Sequence, residues 1–184
     1  MEKRYEEAAY VLDFLPHGRP QARPSYRAGA LVQLVGEEFF TLLEATLREG
    51  LIMKPSDRVY VGKDSRQEIT YIIGRISYEE LTSAAKNELP VVIEKIVMTR
   101  EAWFINFFNT AQAITPRMHA LELIPGIGKK YMWQIINERE RNTFKDLNDL
   151  QQRANIPSPA KLATKRVLEE LSGESKYRLF TRAP

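Results

Sequence analysis

Six residues, Pro125-Gly126-Ile127-Gly128-Lys129-Lys130, interrupt two stretches of helical periodicity and limit what this half of the chain can become. Leu121 and Ile124 end the first pattern at a proline, and Tyr131, Ile135 and Ile136 carry the second directly after the lysines. Proline and glycine continue a helix only at a cost, so the spacing predicts helix, tight turn, helix. Glycine at 126 and 128 permits positive φ and puts no side chain before the amides, so successive N–H groups can converge on one anion. The second helix adds unsatisfied N–H donors and the positive end of its dipole, with Lys129 and Lys130 beside them. A phosphate suits such a cup. The plainer alternative is an αα-hairpin whose Pro and Gly only make the turn.

Ile124-Pro125-Gly126-Ile127-Gly128-Lys129 resembles the hairpin of the helix-hairpin-helix motif of DNA and RNA processing proteins: apolar, any residue, Gly, apolar, Gly, then basic or small residues. The candidate phosphate-binding residues are therefore Gly126, Ile127, Gly128, Lys129 and Lys130. Thirty-two residues later, Ile156-Pro157-Ser158-Pro159-Ala160-Lys161 repeats the Ile, Pro and Lys positions, and Val167 and Leu168 fall beneath Ile135 and Ile136. Ser158 and Ala160 replace the glycines and Pro159 has no N–H to donate, which predicts a second hairpin without a phosphate cup. Two such hairpins can cover each other's apolar faces, so residues 116–184 are expected to form an all-α tandem helix-hairpin-helix domain with a basic tail. A competing reading makes residues 156–170 a free basic helix in which Lys161, Lys165 and Arg166 meet phosphate directly.

The charge distribution agrees with a polyanionic partner for this half. Residues 1–115 carry 14 basic and 16 acidic side chains, whereas residues 116–184 carry 13 and 8. With no cysteine, thiol catalysis, Cys-ligated metal and disulfide staples are excluded, and two histidines make a His-based metal site a poor expectation. No cofactor, metal or catalytic residue is expected. No stretch reads as a membrane span or cleavable signal, which predicts a cytoplasmic protein without a membrane partner.

The N-terminal part reads as β. Ala8–Leu15 and residues 30–35 are strands, and Gly36 offers a bulge or bend. Residues 37–50 fit either a helix or a buried strand, with strand favoured by the flanking elements. Residues 58–62 and 68–76 read as a hairpin across Lys63-Asp64-Ser65-Arg66. Together these predict a small closed β-barrel of OB type over residues 1–77, a device that removes exposed sheet edges. Between the first two strands, residues 16–29 hold three prolines, two glycines, Arg19, Arg23 and Arg27 without an acidic residue, as a basic arm or a solubilising loop. Such a barrel can bind single strands through aromatic platforms and basic rims. This makes Arg58, Lys63, Arg66 and Tyr71 further nucleic-acid candidates, with Tyr60 and Arg75 beside them; the basic arm adds Arg19, Arg23 and Arg27, and the free-helix reading adds Lys165 and Arg166. Half-buried strand formers are the ordinary alternative for the tyrosines.

Residues 78–115 are expected to link the halves. A capping sequence at Ser77 starts a helix to about Glu88, Pro90 begins another, and apolar residues from Val92 to Ile114 keep helical spacing, Trp103-Phe104-x-x-Phe107-Phe108 reading as core. Thr115-Pro116 is expected to open the next helix.

This order of parts, with LELIPGIGKK at residues 121–130, the FFNTAQAIT run before it and the basic Pro-rich segment after the first strand, resembles an uncharacterised archaeal family for which RNA binding is inferred. The fold class expected is thus α+β multidomain: an OB-like barrel, an aromatic linking helix and a tandem helix-hairpin-helix domain. The function expected is non-enzymatic binding of nucleic-acid phosphate without base specificity, with RNA favoured over DNA by the resemblance alone. The alternatives are a DNA-binding protein, a protein-binding scaffold, or a nucleic-acid-processing enzyme, for which Asp57, Asp64, Glu79, Glu80 and Glu94 would have to gather around Mg²⁺.

Overall fold

A computed structural model gives the structure of the protein over residues 5–19, 29–64 and 66–183. The fold is α+β. Contacts divide it into two compact units, Met1–Val92 with Glu170–Pro184, and Ile93–Glu169. These boundaries differ from those at 77 and 115 expected from sequence, since the division falls within two helices, α1 (Ser83–Thr99) and α5 (Pro159–Ser172).

The first unit is built on five antiparallel strands, β1 (Ala8–Leu15), β2 (Leu31–Gly36), β3 (Leu42–Leu47), β4 (Arg58–Tyr60) and β5 (Ile69–Arg75), in the order β4-β1-β2-β3-β5. The ambiguous segment after Gly36 is therefore a strand. The expected hairpin is not formed: β4 pairs with β1 (Ala9 opposite Val59) and β5 with β3 (Ala45 opposite Ile72). Among the described residues no ladder joins β4 to β5, so the sheet curls into a half-barrel rather than closing. Local alternation found the strands of the apparent hairpin but carries no information on which edge each one joins.

One sheet face collects Ala9, Val11, Val32, Leu34, Leu43, Ala45, Leu47, Val59, Val61 and Ile69 into a buried cluster. The register shifts in β1 between Val11 and Asp13, and again between β3 and β5 at Glu44/Ala45 and Thr46/Leu47, but not at Gly36. Gly36 is glycine for room, because a Cβ there would run into the carboxyl group of Glu6. That carboxylate accepts the N–H groups of Glu38 (2.8 Å), Phe39 (2.9 Å) and Thr41 (3.2 Å) and so holds the β2–β3 turn. On the other face, buried Gln33 sits opposite Glu44, donates to it at 3.0 Å and accepts the Thr82 N–H at 2.9 Å. Thr82 also donates to Asp13 and caps α1 at the Ala85 N–H.

Tyr78–Glu80 is only a 3-10 turn, closed by a 2.7 Å bond from the Ser77 N–H to Glu80, and Pro90 lies inside α1 rather than at a helix start. The tail adds no strand among the described residues. Buried Glu170 instead accepts the N–H groups of Leu179, Phe180 and Thr181 and the Thr181 hydroxyl, fixing residues 179–181.

The second unit contains α2 (Glu101–Thr110), β6 (Ala113–Thr115), β7 (Met118–His119), α3 (Lys129–Arg141) and α4 (Leu147–Ala154). Phe104 and Phe108 are fully buried, as the apolar stripe requires, while Trp103 is half exposed under Arg100. Thr115-Pro116 does not open a helix. Its proline sits in the turn of the β6–β7 hairpin, and Ala120–Leu123 is a single 3-10 turn where a longer helix was expected.

Candidate nucleic-acid interface

The segment from His119 to Lys130 is held from several sides. His119 Nδ1 accepts the Leu121 N–H at 3.1 Å and the His119 N–H donates to Glu122 at 2.9 Å, a reciprocal cap on the 3-10 turn. Glu122 also receives Lys129 Nζ at 3.1 Å, and these two bonds hold its carboxyl below the usual range. Burial, reinforced by the charge of Arg139, lowers the His119 pKa. Ile124 and Ile127 are buried and joined by the Ile127 N–H to Ile124 carbonyl bond of 3.0 Å. The outer residues Gly126, Gly128, Lys129 and Lys130 are exposed.

The two glycines differ. Gly126 has φ +91°, the left-handed region that glycine favours, and a Cβ there would lie 2.9 Å from Leu162 Cδ2. Gly128 is extended (φ −92°, ψ −169°), contrary to the expectation of positive φ at both, and a Cβ would meet nothing within 4 Å. Gly128 is the N-cap of α3, and the first helical bond runs from the Met132 N–H to the Gly128 carbonyl. The amides of Lys129, Lys130 and Tyr131 therefore precede the helical ladder, and glycine supplies no capping side chain. This end combines uncapped amides, open space at Gly128 and two exposed ammonium groups.

The second turn keeps step with the first in burial. Ile156 is buried like Ile124, Val167 like Ile135, and Leu168 is half-buried like Ile136. Ser158 takes positive φ (+41°) where Gly126 does. The helix after it starts two residues earlier than the alignment implies, with Pro159 in its first turn, where a missing N–H is tolerated.

Within residues 116–184, Arg139, Arg153 and Arg166 are tied to backbone carbonyls, whereas Arg117 and Arg141 are exposed. Arg139 donates to the carbonyls of Phe108 (3.0 Å) and Ala111 (2.8 Å) at the end of α2. Arg153 donates to those of Glu138 (2.8 Å) and Asn142 (2.7 Å) at the end of α3 and lies 4.7 Å over the Phe144 ring. Arg166 is buried, donates to the Leu123 carbonyl at 3.2 Å and pairs with Glu169. Lys129, Lys130, Lys161 and Lys165 are exposed.

Of the remaining candidates, Arg19 donates to Glu44 and to the Glu80 carbonyl. Arg58 makes a two-pronged pair with Glu37 (3.0 and 3.1 Å) and lies 5.0 Å over the Tyr60 ring. That pairing raises its pKa further above the usual range. Arg66 donates to the Val61 carbonyl at 2.9 Å, and with Lys63, Asp64 and Arg75 it lines a cleft of about 670 Å³ in the first unit. Tyr71 is 63% exposed on β5. Arg23 and Arg27 lie outside the described residues. Asp57 accepts the Lys54 N–H, Glu79 pairs with Lys86, and among the described residues no three His, Asp or Glu gather as metal ligands would. No helix of the described residues is long and apolar enough to cross a membrane. Sequence reading passed over Trp133, 55% exposed on α3. Its signal was available as spacing, four residues after Lys129 and three after Lys130.

The chain is similar to known proteins along nearly its whole length. It is 40% identical over 182 residues to the uncharacterized protein MJ0038 of Methanocaldococcus jannaschii, spanning 98% of this chain and 82% of that one. It also resembles the crystal structure of Af1531 from Archaeoglobus fulgidus, with 48% identity and a TM-score of 0.89, covering 96% of this chain and all of the other. The family model described as a protein of unknown function, DUF655, matches residues 5–182, and with these relatives in agreement the chain belongs to that family of archaeal-type proteins.

Proposed function

We propose that this protein binds nucleic acid, RNA in preference to DNA, by gripping backbone phosphate at Gly126–Lys130 without reading bases and without catalysing a reaction on it. The observation that carries the reading is the opening of α3: an extended, sterically open Gly128, uncapped first-turn amides and exposed Lys129 and Lys130. In this reading residues 120–141 and 147–172 are two helix-hairpin-helix units in tandem, the second degenerate, and the half-barrel is a variant of an OB-like barrel. The matched burial of Ile124 with Ile156 and of Ile135 with Val167 supports the pairing of the hairpins. The choice of RNA comes from the family resemblance.

Fluorescence anisotropy with labelled RNA and DNA strands across a salt series tests the reading. Gly128→Ala should lower affinity with only a small fall in melting temperature, because the added methyl enters the anion's place and touches no protein atom, while alanine caps a helix less well than glycine. Lys130→Ala should flatten the slope of log K against log salt by about one unit per lost phosphate contact. Normal binding by both variants would refute it. Mg²⁺-dependent cleavage of the probe, lost in Glu79 or Glu80 variants, would point to a processing enzyme instead.

A further inference from the structure

We infer that Trp133 is a stacking platform for an unpaired base, which makes the ligand at this end of α3 a single strand or a splayed nucleotide rather than a closed duplex. The inference rests on the phosphate reading above and adds what lies beside the phosphate. Trp133 is 55% exposed, unlike the apolar residues Met132 and Ile135 on either side of it, which are buried. Helix spacing of three and four residues puts it on one face with Lys130 and Lys129. Because the Cα–Cβ bonds of a helix tilt toward its N-terminus, the indole is directed over the first turn, where the lysines and uncapped amides lie. Asn137, exposed one turn further on, continues the face with a neutral side chain.

An indole costs free energy when wetted and is the aromatic group best suited to stack on a planar, electron-poor ring. A ring beside a cationic groove is how proteins hold single strands without base specificity, since every base has a π-face. In a duplex the bases are stacked on one another and their faces are unavailable, so the indole would find only sugar and phosphate there.

The test uses full-length protein carrying Trp103→Phe, which leaves Trp133 as the sole tryptophan. Its fluorescence is followed on titration with a single-stranded RNA, a duplex of the same length and inorganic phosphate. Quenching by the single strand, with none from the duplex or from phosphate, is expected. In the otherwise native chain, Trp133→Ala should lower single-strand affinity about 5- to 150-fold with the salt slope unchanged, and Trp133→Phe should restore part of it. Equal loss for strand and duplex, or no loss and no quenching, overturns the platform. If Gly128→Ala still lowers affinity and Lys130→Ala still flattens the salt slope in that case, the phosphate reading stands alone. If no strand binds the native chain, both fall together.

Discussion

At Gly126 the backbone bends into a conformation that side chains resist and lies against Leu162, whereas at Gly128 it is extended and open. Gly126→Val should therefore lower the melting temperature by way of strain and overlap, at a cost of about 1–3 kcal/mol, and confound any binding measurement. Gly128→Ala separates affinity from folding. His119 gives a second test at this scale, because its Nδ1 can accept the Leu121 N–H only while unprotonated. Its folded pKa is depressed below the ordinary 6.5, so its contribution is fully present above that value and is lost as pH falls through the folded pKa. Melting temperatures followed from pH 7.5 downward, at roughly half-unit steps about the ordinary imidazole pKa, should fall more steeply for the native protein than for His119→Gln. Parallel curves would show that the cap does not depend on the proton.

Among the elements, α5 distinguishes a packed repeat from a free basic helix. Val167 is fully buried and Arg166 nearly so, its guanidinium spent on the Leu123 carbonyl, while Lys161 and Lys165 face solvent. Val167→Ala should cost about 1–3 kcal/mol of stability with affinity of the folded fraction unchanged. Arg166→Ala should also act on stability, and Lys165→Ala on neither unless the strand extends to this helix. Thermal melts beside salt-dependent affinities read both effects. The strands over Ala8–Leu15 and Leu31–Gly36 and the helices α2, α3 and α5 were legible in sequence from local periodicity, as was the turn at Pro125, whereas the cap at Ser77 and the pattern before Pro125 gave only 3-10 turns. What failed was non-local or context-bound. β4 and β5 look like hairpin partners but are drawn to opposite edges, Pro90 is tolerated within α1, and Gly128 is extended because it caps α3 while Gly126 turns against Leu162. The candidate residues Gly126 to Lys130 came from a motif, and the structure places Gly126, Gly128, Lys129 and Lys130 at an exposed turn before α3. Trp133 was not singled out because an exposed and a buried tryptophan look alike until burial is known.

At the scale of the whole chain, four arginines and four lysines meet different surroundings. Arg139, Arg153 and Arg166 saturate carbonyls at helix ends and turns, and Arg178 does the same for Glu170 and Arg182 in the other unit. The lysines around Gly128 and along α5 remain at the surface. Guanidinium suits the first task, with several fixed donors for several acceptors, and ammonium suits a mobile contact to a flexible polyanion. The chemistry of the two groups differs enough to be addressed separately. Amine-directed acetylation neutralises lysine and leaves arginine untouched. Exhaustively acetylated protein should therefore lose most of its affinity for nucleic acid while its circular-dichroism melt shifts little, whereas a guanidine-directed dicarbonyl reagent should unfold it as it reacts. On the proposed reading, acetylation of these surface lysines acts on binding, while the arginines that hold helix-end carbonyls stay as they are.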